Sequence, residues 1–197
     1  MSSPHRLILA STSAYRRELL ERLRLPFDTI APDVDETPLP GEQPATLARR
    51  LARAKAEDVA AAHPGAVVIG SDQVADLDGM PLGKPGDHAR AVAQLRAMRG
   101  RTVVFHTAVA VRCVARSVST CELANVTVRV RDVSDDDIER YLLAERPYDC
   151  AGSAKAEGLG IALLSAIESD DPTALIGLPL IHTCALLREA GIDPLNP

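Results

Sequence analysis

Short apolar runs alternate along the chain with longer segments in which apolar residues recur at helical spacing. The runs predict strands at residues 6–10, 27–31, 66–69, 74–77, 102–113 and 122–133. Helical spacing predicts helices after Ser13, over residues 45–62 and 87–98, from Ser134 onward, and up to Ala190. The pattern contains no repeat and no linker, and it indicates one ordinary domain or two small lobes around one sheet.

The central stretch comprises residues 67–85, where an apolar strand is followed by polar residues. This strand is predicted to end at Gly70, which would bring Asp72 to the surface where the strand stops. A second strand then turns at the Asp-Gly pair of residues 78–79, a hairpin signal, and leads to Lys84. Asp72 and Lys84 are therefore predicted to leave one hairpin as an acid/base pair, the alternative being a surface hairpin with two solvated charges.

A Walker A phosphate loop is excluded in this stretch. The spacing from Gly79 to Gly83 is one residue too short for that motif. Lys84 is followed by Pro85, which has neither a hydroxyl for magnesium nor an N–H for phosphate. Any phosphate that binds here must be held in another way.

Polar and cationic side chains surround the start of the first predicted helix. Ser13 is the predicted N-cap, Ser11 precedes it, and Arg16 and Arg17 lie in the first turn. Cations at this position oppose the helix dipole by a few tenths of a kcal/mol each, and such violations of local rules concentrate at functional sites. The segment therefore predicts an anion site, unless both arginines point to solvent.

Lysine is rare in this chain. Nineteen of the 22 basic residues are arginine, and the lysines are Lys55, Lys84 and Lys155. Sites that need a compact ammonium, such as phosphate contacts, would explain this distribution, and codon bias would explain it equally well. Lys55 falls in the apolar arc of the helix at 45–62, where a lysine either snorkels to solvent or enters a cleft to meet an anion. Its replacement by Met is expected to be tolerated structurally.

Composition and charge limit the class of protein. The 197 residues are 46% hydrophobic and carry a net charge of −5, which argues against polymeric nucleic acid as a partner. No apolar run is long enough to span a membrane, and residues 1–5 lack the parts of a signal peptide, so a cytoplasmic location is expected. The four cysteines and five histidines show no metal-ligand spacing, and a zinc site is not expected. Asp33, Asp35 and Glu36 could coordinate a divalent cation or simply be solvated.

The unusual polar residues form one set of candidate anion donors: Ser11, Arg16, Arg17, Lys55, Lys84 and Lys155. They carry more positive charge than a monophosphate needs, and they suit a triphosphate. Asp72 could activate a water molecule, with a metal ion spreading the phosphoryl charge.

The sequence resembles the Maf family of nucleoside triphosphate pyrophosphatases over nearly its whole length. The matching motifs follow in family order at residues 9–13, 16–17, 33–36, 54–56, 70–72, 77–79, 83–85, 151–153 and 177–179. The resemblance implies a single domain over residues 1–197 and an α/β fold similar to inosine triphosphatases. That fold would have a central mixed sheet flanked by helices and two lobes around an active-site cleft.

The family resemblance also implies a reaction and roles for the candidate residues. The reaction is hydrolysis of the α–β phosphoanhydride of a nucleotide, with a divalent metal cation (Mg, Mn or Co), to a monophosphate and pyrophosphate. Asp72 would accept the proton of the attacking water, and Asp72 and Glu36 would be the carboxylates beside the metal. The phosphate contacts would be Ser11, Arg16, Arg17, Lys55 and Lys84, with Lys155 as a further candidate.

Three positions separate base preferences within the family, and in this sequence they are Tyr15, Gln73 and Glu157. The dTTP/UTP branch is expected to carry Arg, Thr and Gln there, and the 7-methyl-GTP branch an aromatic residue (usually Trp), Gln and Glu. The sequence is more similar to the second branch, with Tyr15 in place of Trp. A carboxylate can accept from guanine N1–H and N2–H₂, and an aromatic face opposite the cationic methylated ring adds about 0.5–2 kcal/mol.

The expected function is therefore hydrolysis of 7-methyl-GTP to 7-methyl-GMP and pyrophosphate, a house-cleaning activity against modified nucleotides. One alternative is pyrophosphatase activity on other canonical or modified nucleotides such as dTTP and UTP. Another is a nucleotide-binding regulator of septum formation and cell division. The expected partner is a small nucleotide substrate, and neither nucleic acid nor a membrane is expected as a partner. A homodimer is compatible with this interpretation.

Overall fold

Seven strands within residues 6–196, the part of the chain that the structure describes, form one mixed sheet in this computed structural model. Residues 1–5, which are not expected to form a signal peptide, lie outside the described residues. The strands and helices are, in chain order, β1 (Leu7–Ala10), α1 (Ala14–Glu21), β2 (Asp28–Ile30), α2 (Pro44–Ala62), β3 (Val67–Leu77), β4 (Met80–Leu82), α3 (His88–Met98), β5 (Thr102–Cys113), β6 (Val118–Val130), α4 (Asp135–Glu145), β7 (Leu164–Glu168) and α5 (Leu180–Glu189).

The sheet is mixed because its first strands are parallel and the rest are antiparallel. The strand order is β2-β1-β3-β5-β6-β7, with β4 also paired to β3. β1 runs parallel to both β2 and β3. The pairs of β3 with β4 and β5, of β5 with β6, and of β6 with β7 are antiparallel.

Side chains alternate across the sheet and pack against helices on both faces. Leu9 and Ile69 pack in the cluster that α1 and α5 complete on one face. Ile8 and Val68 face the other way and pack with Val59 of α2. α3 and α4 share a separate apolar cluster and form a second lobe beside this core. The predicted α/β class, with a central mixed sheet flanked by helices, is confirmed.

Local signals predict the helix ends well. The Ser13 hydroxyl accepts from the Arg16 N–H at 3.4 Å and caps α1, as predicted. Ser134 and Asp137 form the predicted capping box at the start of α4. β7 is absent from the prediction, because this five-residue edge strand is largely exposed and the apolar residues that lead into it, Leu159–Leu163, form a 3₁₀ helix instead of a strand.

β3 corrects the prediction of two strands separated by a break after Gly70. It is one strand of 11 residues, and residues 68–76 pair with β5 without interruption. Asp72 therefore lies in the middle of a strand and not in a loop at its end. The polar run is compatible with a strand because the β5 ladder satisfies its backbone groups. The predicted turn at Asp78 and Gly79 is confirmed, with φ of 53° and 84°.

The other edge of β3 is covered in two pieces that leave a gap. β1 pairs with residues 67–70, and β4 pairs with residues 75–77. Among the described residues, no strand pairs with residues 71–74 on this edge. The gap opens the sheet at Asp72 and Gln73, so both side chains can be reached although their strand is rigid.

Gly70 allows α2 to lie directly against β3. A Cβ at this position would come within 2.2 Å of the Ala52 carbonyl oxygen and 2.6 Å of the Ala56 nitrogen. Both atoms belong to the helix backbone, which cannot move aside as a flexible side chain could. The glycine therefore determines how closely the helix that carries Lys55 approaches the strand that carries Asp72.

No helix in the described part of the chain is both long and apolar enough to cross a membrane.

Gly70→Ala is expected to destabilise the protein by about 1–3 kcal/mol, because the added methyl group overpacks the contact with α2. The free energy of unfolding in urea measures the effect. Gly65→Ala is the matched control, since a Cβ there has nothing within 4 Å. Equal stability of the two variants would contradict the proposed role of Gly70.

Candidate active site

A cavity of about 900 Å³ opens at the gap in the sheet. Residues 11–16 after β1, residues 72–74 of β3 and residues 81–84 at the end of the β3–β4 hairpin all line it. Opposite walls come from α2 and from the segment around residues 149–157. The predicted cleft between two lobes therefore lies where neither β1 nor β4 pairs with β3.

Lys55 lies among the charged side chains at one end of the cavity and pairs with two carboxylates there. Its Nζ lies 2.7 Å from Oδ1 of Asp72 and 2.6 Å from Oε1 of Glu36. Lys55 is only 5% exposed and Asp72 only 7%, so the ammonium does not snorkel to solvent. Of the two fates open to a lysine in an apolar arc, this one enters the cleft and meets carboxylates.

Arg16 joins this end of the cavity from the first turn of α1. Its Nε donates to the carbonyl oxygen of Gly177 at 2.9 Å, which directs the guanidinium into the cavity. Burial lowers the pKa of Arg16, and the charges of Asp72 and Glu36 oppose that shift. Arg16 is therefore a partly desolvated cation close to both carboxylates.

Lys84 and Ser11 complete this group, which we call the phosphate end. Both line the cavity. Burial raises the pKa of Glu36, but the hydrogen bond from Lys55 and the charges of Lys55, Lys84 and Arg16 outweigh it, so this pKa lies below its usual value. The buried Ser11 hydroxyl oxygen accepts from the Ser13 N–H at 3.1 Å. Three cations thus surround two carboxylates, and the excess positive charge suits an oligophosphate.

The phosphate end offers two carboxylates to a metal ion. No group of three or more His, Cys, Asp or Glu side chains suited to a metal occurs in the described part of the chain. Magnesium is usually held by one or two carboxylates together with substrate phosphate oxygens and water. Glu36 and Asp72 therefore fit a metal that binds together with its substrate.

The opposite end of the cavity, which we call the base end, carries an aromatic ring and acidic groups. Tyr15, Asp149 and Glu157 line it. Burial raises the pKa of Glu157, and the charges of Glu145 and Asp149 add to the shift while Lys155 opposes it. These carboxylates outnumber the one nearby ammonium, so this end attracts cations.

Gln73 lies in the sheet gap and holds a neighbouring loop. Its Nε2 donates to the carbonyl oxygens of Ala174 at 2.9 Å and Leu175 at 3.0 Å. These two acceptors fix which way the amide points. Gln73 therefore lines the cavity in a single orientation between its two ends.

Two of the predicted phosphate contacts lie elsewhere. Arg17 is exposed, its Nε lies 3.5 Å from a carboxylate oxygen of Glu21, and it does not line the cavity. Arg17 therefore points to solvent, which was the alternative to an anion site, whereas Arg16 points into the cavity. Lys155 lies at the base end, 3.1 Å from Glu145 and 5.5 Å from the centre of the Tyr15 ring. Neither position supports a contact with phosphate.

The buried carboxylate of Asp171 was not among the candidates. It is 1% exposed, and its oxygens accept from the Thr173 N–H at 3.1 Å and the Ile181 N–H at 2.7 Å. These bonds shape the loop that presents the Gly177 carbonyl to Arg16. From the sequence, Asp171 predicts only a turn, because the N–H groups that it binds come together only when the loop is folded.

Together, the fold and the site define an α/β protein with a nucleotide-sized cavity, cationic at one end and acidic and aromatic at the other. The chain belongs to the Maf family, since the family model described as Maf-like protein matches residues 6–190.

Curated relatives are similar over almost the whole chain. The chain is 67% identical over 186 residues to the 7-methyl-GTP pyrophosphatase of Polaromonas sp. (strain JS666), covering 94% of this chain and 85% of the relative. It is 63% identical over 198 residues to the 7-methyl-GTP pyrophosphatase of Albidiferax ferrireducens, covering 100% of both chains. A solved HAM1 protein from Coxiella burnetii superimposes with a TM-score of 0.47 and 19% identity over 66% of this chain and 75% of that one.

Lys55→Met is expected to destabilise the protein by about 3–5 kcal/mol at neutral pH, because it removes the ammonium that is hydrogen-bonded to the buried Asp72 carboxylate. This corrects the expectation of structural tolerance. Lys155→Met is the matched control: the Lys155 side chain is 27% exposed, and loss of its ion pair should cost at most about 1 kcal/mol. The free energy of unfolding in urea is measured for both variants. Equal decreases would show that the Lys55 ion pair contributes no more to stability than the Lys155 ion pair.

Proposed function

We propose that the protein hydrolyses 7-methyl-GTP to 7-methyl-GMP and pyrophosphate. The observation that carries the proposal is the opposite charge of the two ends of one cavity. A triphosphate is anionic and a 7-methylguanine ring is cationic, so each part of this nucleotide has a complementary end. The curated name shared by relatives that are 60–67% identical supports the same substrate.

Asp72 is the proposed proton acceptor for the attacking water. Lys55 holds its Oδ1 at 2.7 Å and keeps the carboxylate oriented toward the cavity, which leaves Oδ2 to receive the proton. Because Asp72 lies on a paired strand, its position relative to the substrate is rigid.

Arg16, Lys55 and Lys84 are the proposed ligands of the triphosphate. Their charges offset the negative charge that develops on the pyrophosphate as it leaves. A divalent cation held by Glu36 and Asp72 would supply further charge neutralisation at the phosphoryl group when bound.

Tyr15 and Glu157 are the proposed contacts for the base. The Tyr15 ring offers a face for the cationic purine, and the Glu157 carboxylate can accept from the two donors on the guanine edge. Asp149 adds a second negative charge on the same wall. A uracil ring has neither the positive charge nor the paired donors to use this end fully.

We further propose that the protein works in the cytoplasm on free nucleotides and not on polymeric nucleic acid. The net charge of −5 supports the second point, because a nucleic-acid surface needs excess positive charge. We also propose one domain, supported by the family match over residues 6–190. The homodimer stays a prediction.

Asp72→Asn is expected to lower turnover of 7-methyl-GTP by about 10²–10⁴-fold, because a neutral amide cannot accept the water proton. Pyrophosphate release measures the rate. Asp76→Asn is the matched control, since Asp76 lies on the same strand but does not line the cavity. A folded Asp72→Asn variant with nearly normal turnover would rule out this residue as the base.

Glu157→Gln is expected to lower kcat/KM for 7-methyl-GTP about ten- to a hundredfold while changing UTP much less, because a guanine donor loses its acceptor. The four substrates 7-methyl-GTP, GTP, UTP and dTTP are compared with the wild type and with Glu57→Gln, an exposed control on α2. If the wild type prefers UTP or dTTP, the proposed substrate is wrong although the pyrophosphatase chemistry could stand.

A further inference from the structure

We infer that Gln94 is a positioning residue that holds the phosphate-binding segment around Lys84 in register with the base-binding segment of residues 150–157. The inference rests on the proposed function, since it concerns how the two ends of the cavity act on one nucleotide. Gln94 itself does not line the cavity.

Gln94 bridges the two segments with both ends of its amide. It lies on α3, where its Nε2 donates to the carbonyl oxygen of Gly83 at 3.0 Å. Its Oε1 accepts from the Ser153 hydroxyl at 2.6 Å. Gly83 immediately precedes Lys84, and Ser153 lies four residues before Glu157. One side chain therefore connects the neighbours of a phosphate contact and a base contact.

Backbone hydrogen bonds also join the Lys84 segment to the base-binding segment and to the residues just before it. The Gly152 N–H donates to the Gly83 carbonyl oxygen at 3.4 Å, and the Gly86 N–H donates to the Tyr148 carbonyl oxygen at 2.9 Å. Lys84 thus lies between one attachment to the base-binding segment, at Gly152, and one to Tyr148, just before that segment. The first bond is long for an N–H···O contact, so the Gln94 donor is the stronger attachment at Gly83.

The Ser153 end of the bridge is a demanding backbone position. Ser153 is completely buried and has a φ of 56°, a left-handed conformation that non-glycine residues rarely adopt. Such a conformation persists only where surrounding contacts enforce it. The Tyr141 hydroxyl donates to the Ser153 carbonyl at 3.2 Å, and Gln94 holds its side chain.

The chemistry of the bridge requires an amide. The Gly83 carbonyl can only accept, so an N–H must face it, and the Ser153 hydroxyl then donates to the amide oxygen. A glutamate at position 94 would keep the bond from Ser153 but would place a carboxylate oxygen against the Gly83 carbonyl. Gln94→Glu therefore removes one half of the bridge with almost no change of shape.

The test is a double-mutant cycle of Gln94→Glu and Lys84→Met, measured on whichever nucleoside triphosphate the wild type turns over fastest. Gln94→Glu alone is expected to lower kcat about tenfold or more, with a smaller change in KM, because misplacement of a contact by about 1 Å can cost 10²-fold. In the Lys84→Met background it should add less than about twofold, because the group that it positions is already absent. Gln43→Glu is the matched control, since the Gln43 side chain makes no capping bond.

Equal, multiplicative effects of Gln94→Glu in both backgrounds would overturn the inference, because a purely structural residue acts independently of Lys84. Amide hydrogen exchange provides a readout that needs no activity: protection of the Gly86 and Gly152 amides should fall in Gln94→Glu and not in Gln43→Glu. Unchanged protection would also overturn the inference. The identity of the preferred nucleotide tests the proposed function separately. The double-mutant cycle can be run on any nucleotide that the protein hydrolyses, and the hydrogen-exchange measurement needs no substrate.

Discussion

The buried ammonium of Lys55 is the interaction on which the site depends. It is the shared partner of Asp72 on a central strand and Glu36 on a surface loop, and it is the cation hydrogen-bonded directly to the buried Asp72 carboxylate. Its position follows from the approach of α2 to β3, which only a glycine at position 70 permits. A residue without a side chain thus decides where the central cation lies, and the cation in turn fixes the proposed base.

The gap between β1 and β4 explains how a rigid sheet can present reactive groups. Asp72 and Gln73 keep full pairing with β5 on one side, while the other side is open to the cavity. Groups on a paired strand hold their geometry better than groups on a loop. The segments around the gap carry the residues that are proposed to contact phosphate and base.

Local signals in the sequence predicted the helices, their caps and most strands, because those features depend on neighbours in the chain. Features that depend on distant partners could not be predicted in the same way. The sequence cannot separate Arg16 from Arg17, since the carbonyl that selects Arg16 lies 161 residues away. The continuity of β3 depends on pairing with β5 and not on the polarity of its own residues. Gln94 looks like an ordinary helix residue because both of its partners belong to other segments.

The charge division of the cavity makes the register of its two ends important. The triphosphate and the base of a nucleotide are joined through one ribose, so each can reach its own end only if the two ends are the right distance apart. Under the proposed function, binding energy at the base end contributes to catalysis only when the phosphoanhydride is in place beside Asp72, the proposed base. The inferred role of the hydrogen bonds that join the segments around Lys84 and Ser153 is to keep that distance constant. Selection of the base and attack on the phosphate would therefore both depend on the hydrogen-bonded segments that form this wall of the cavity.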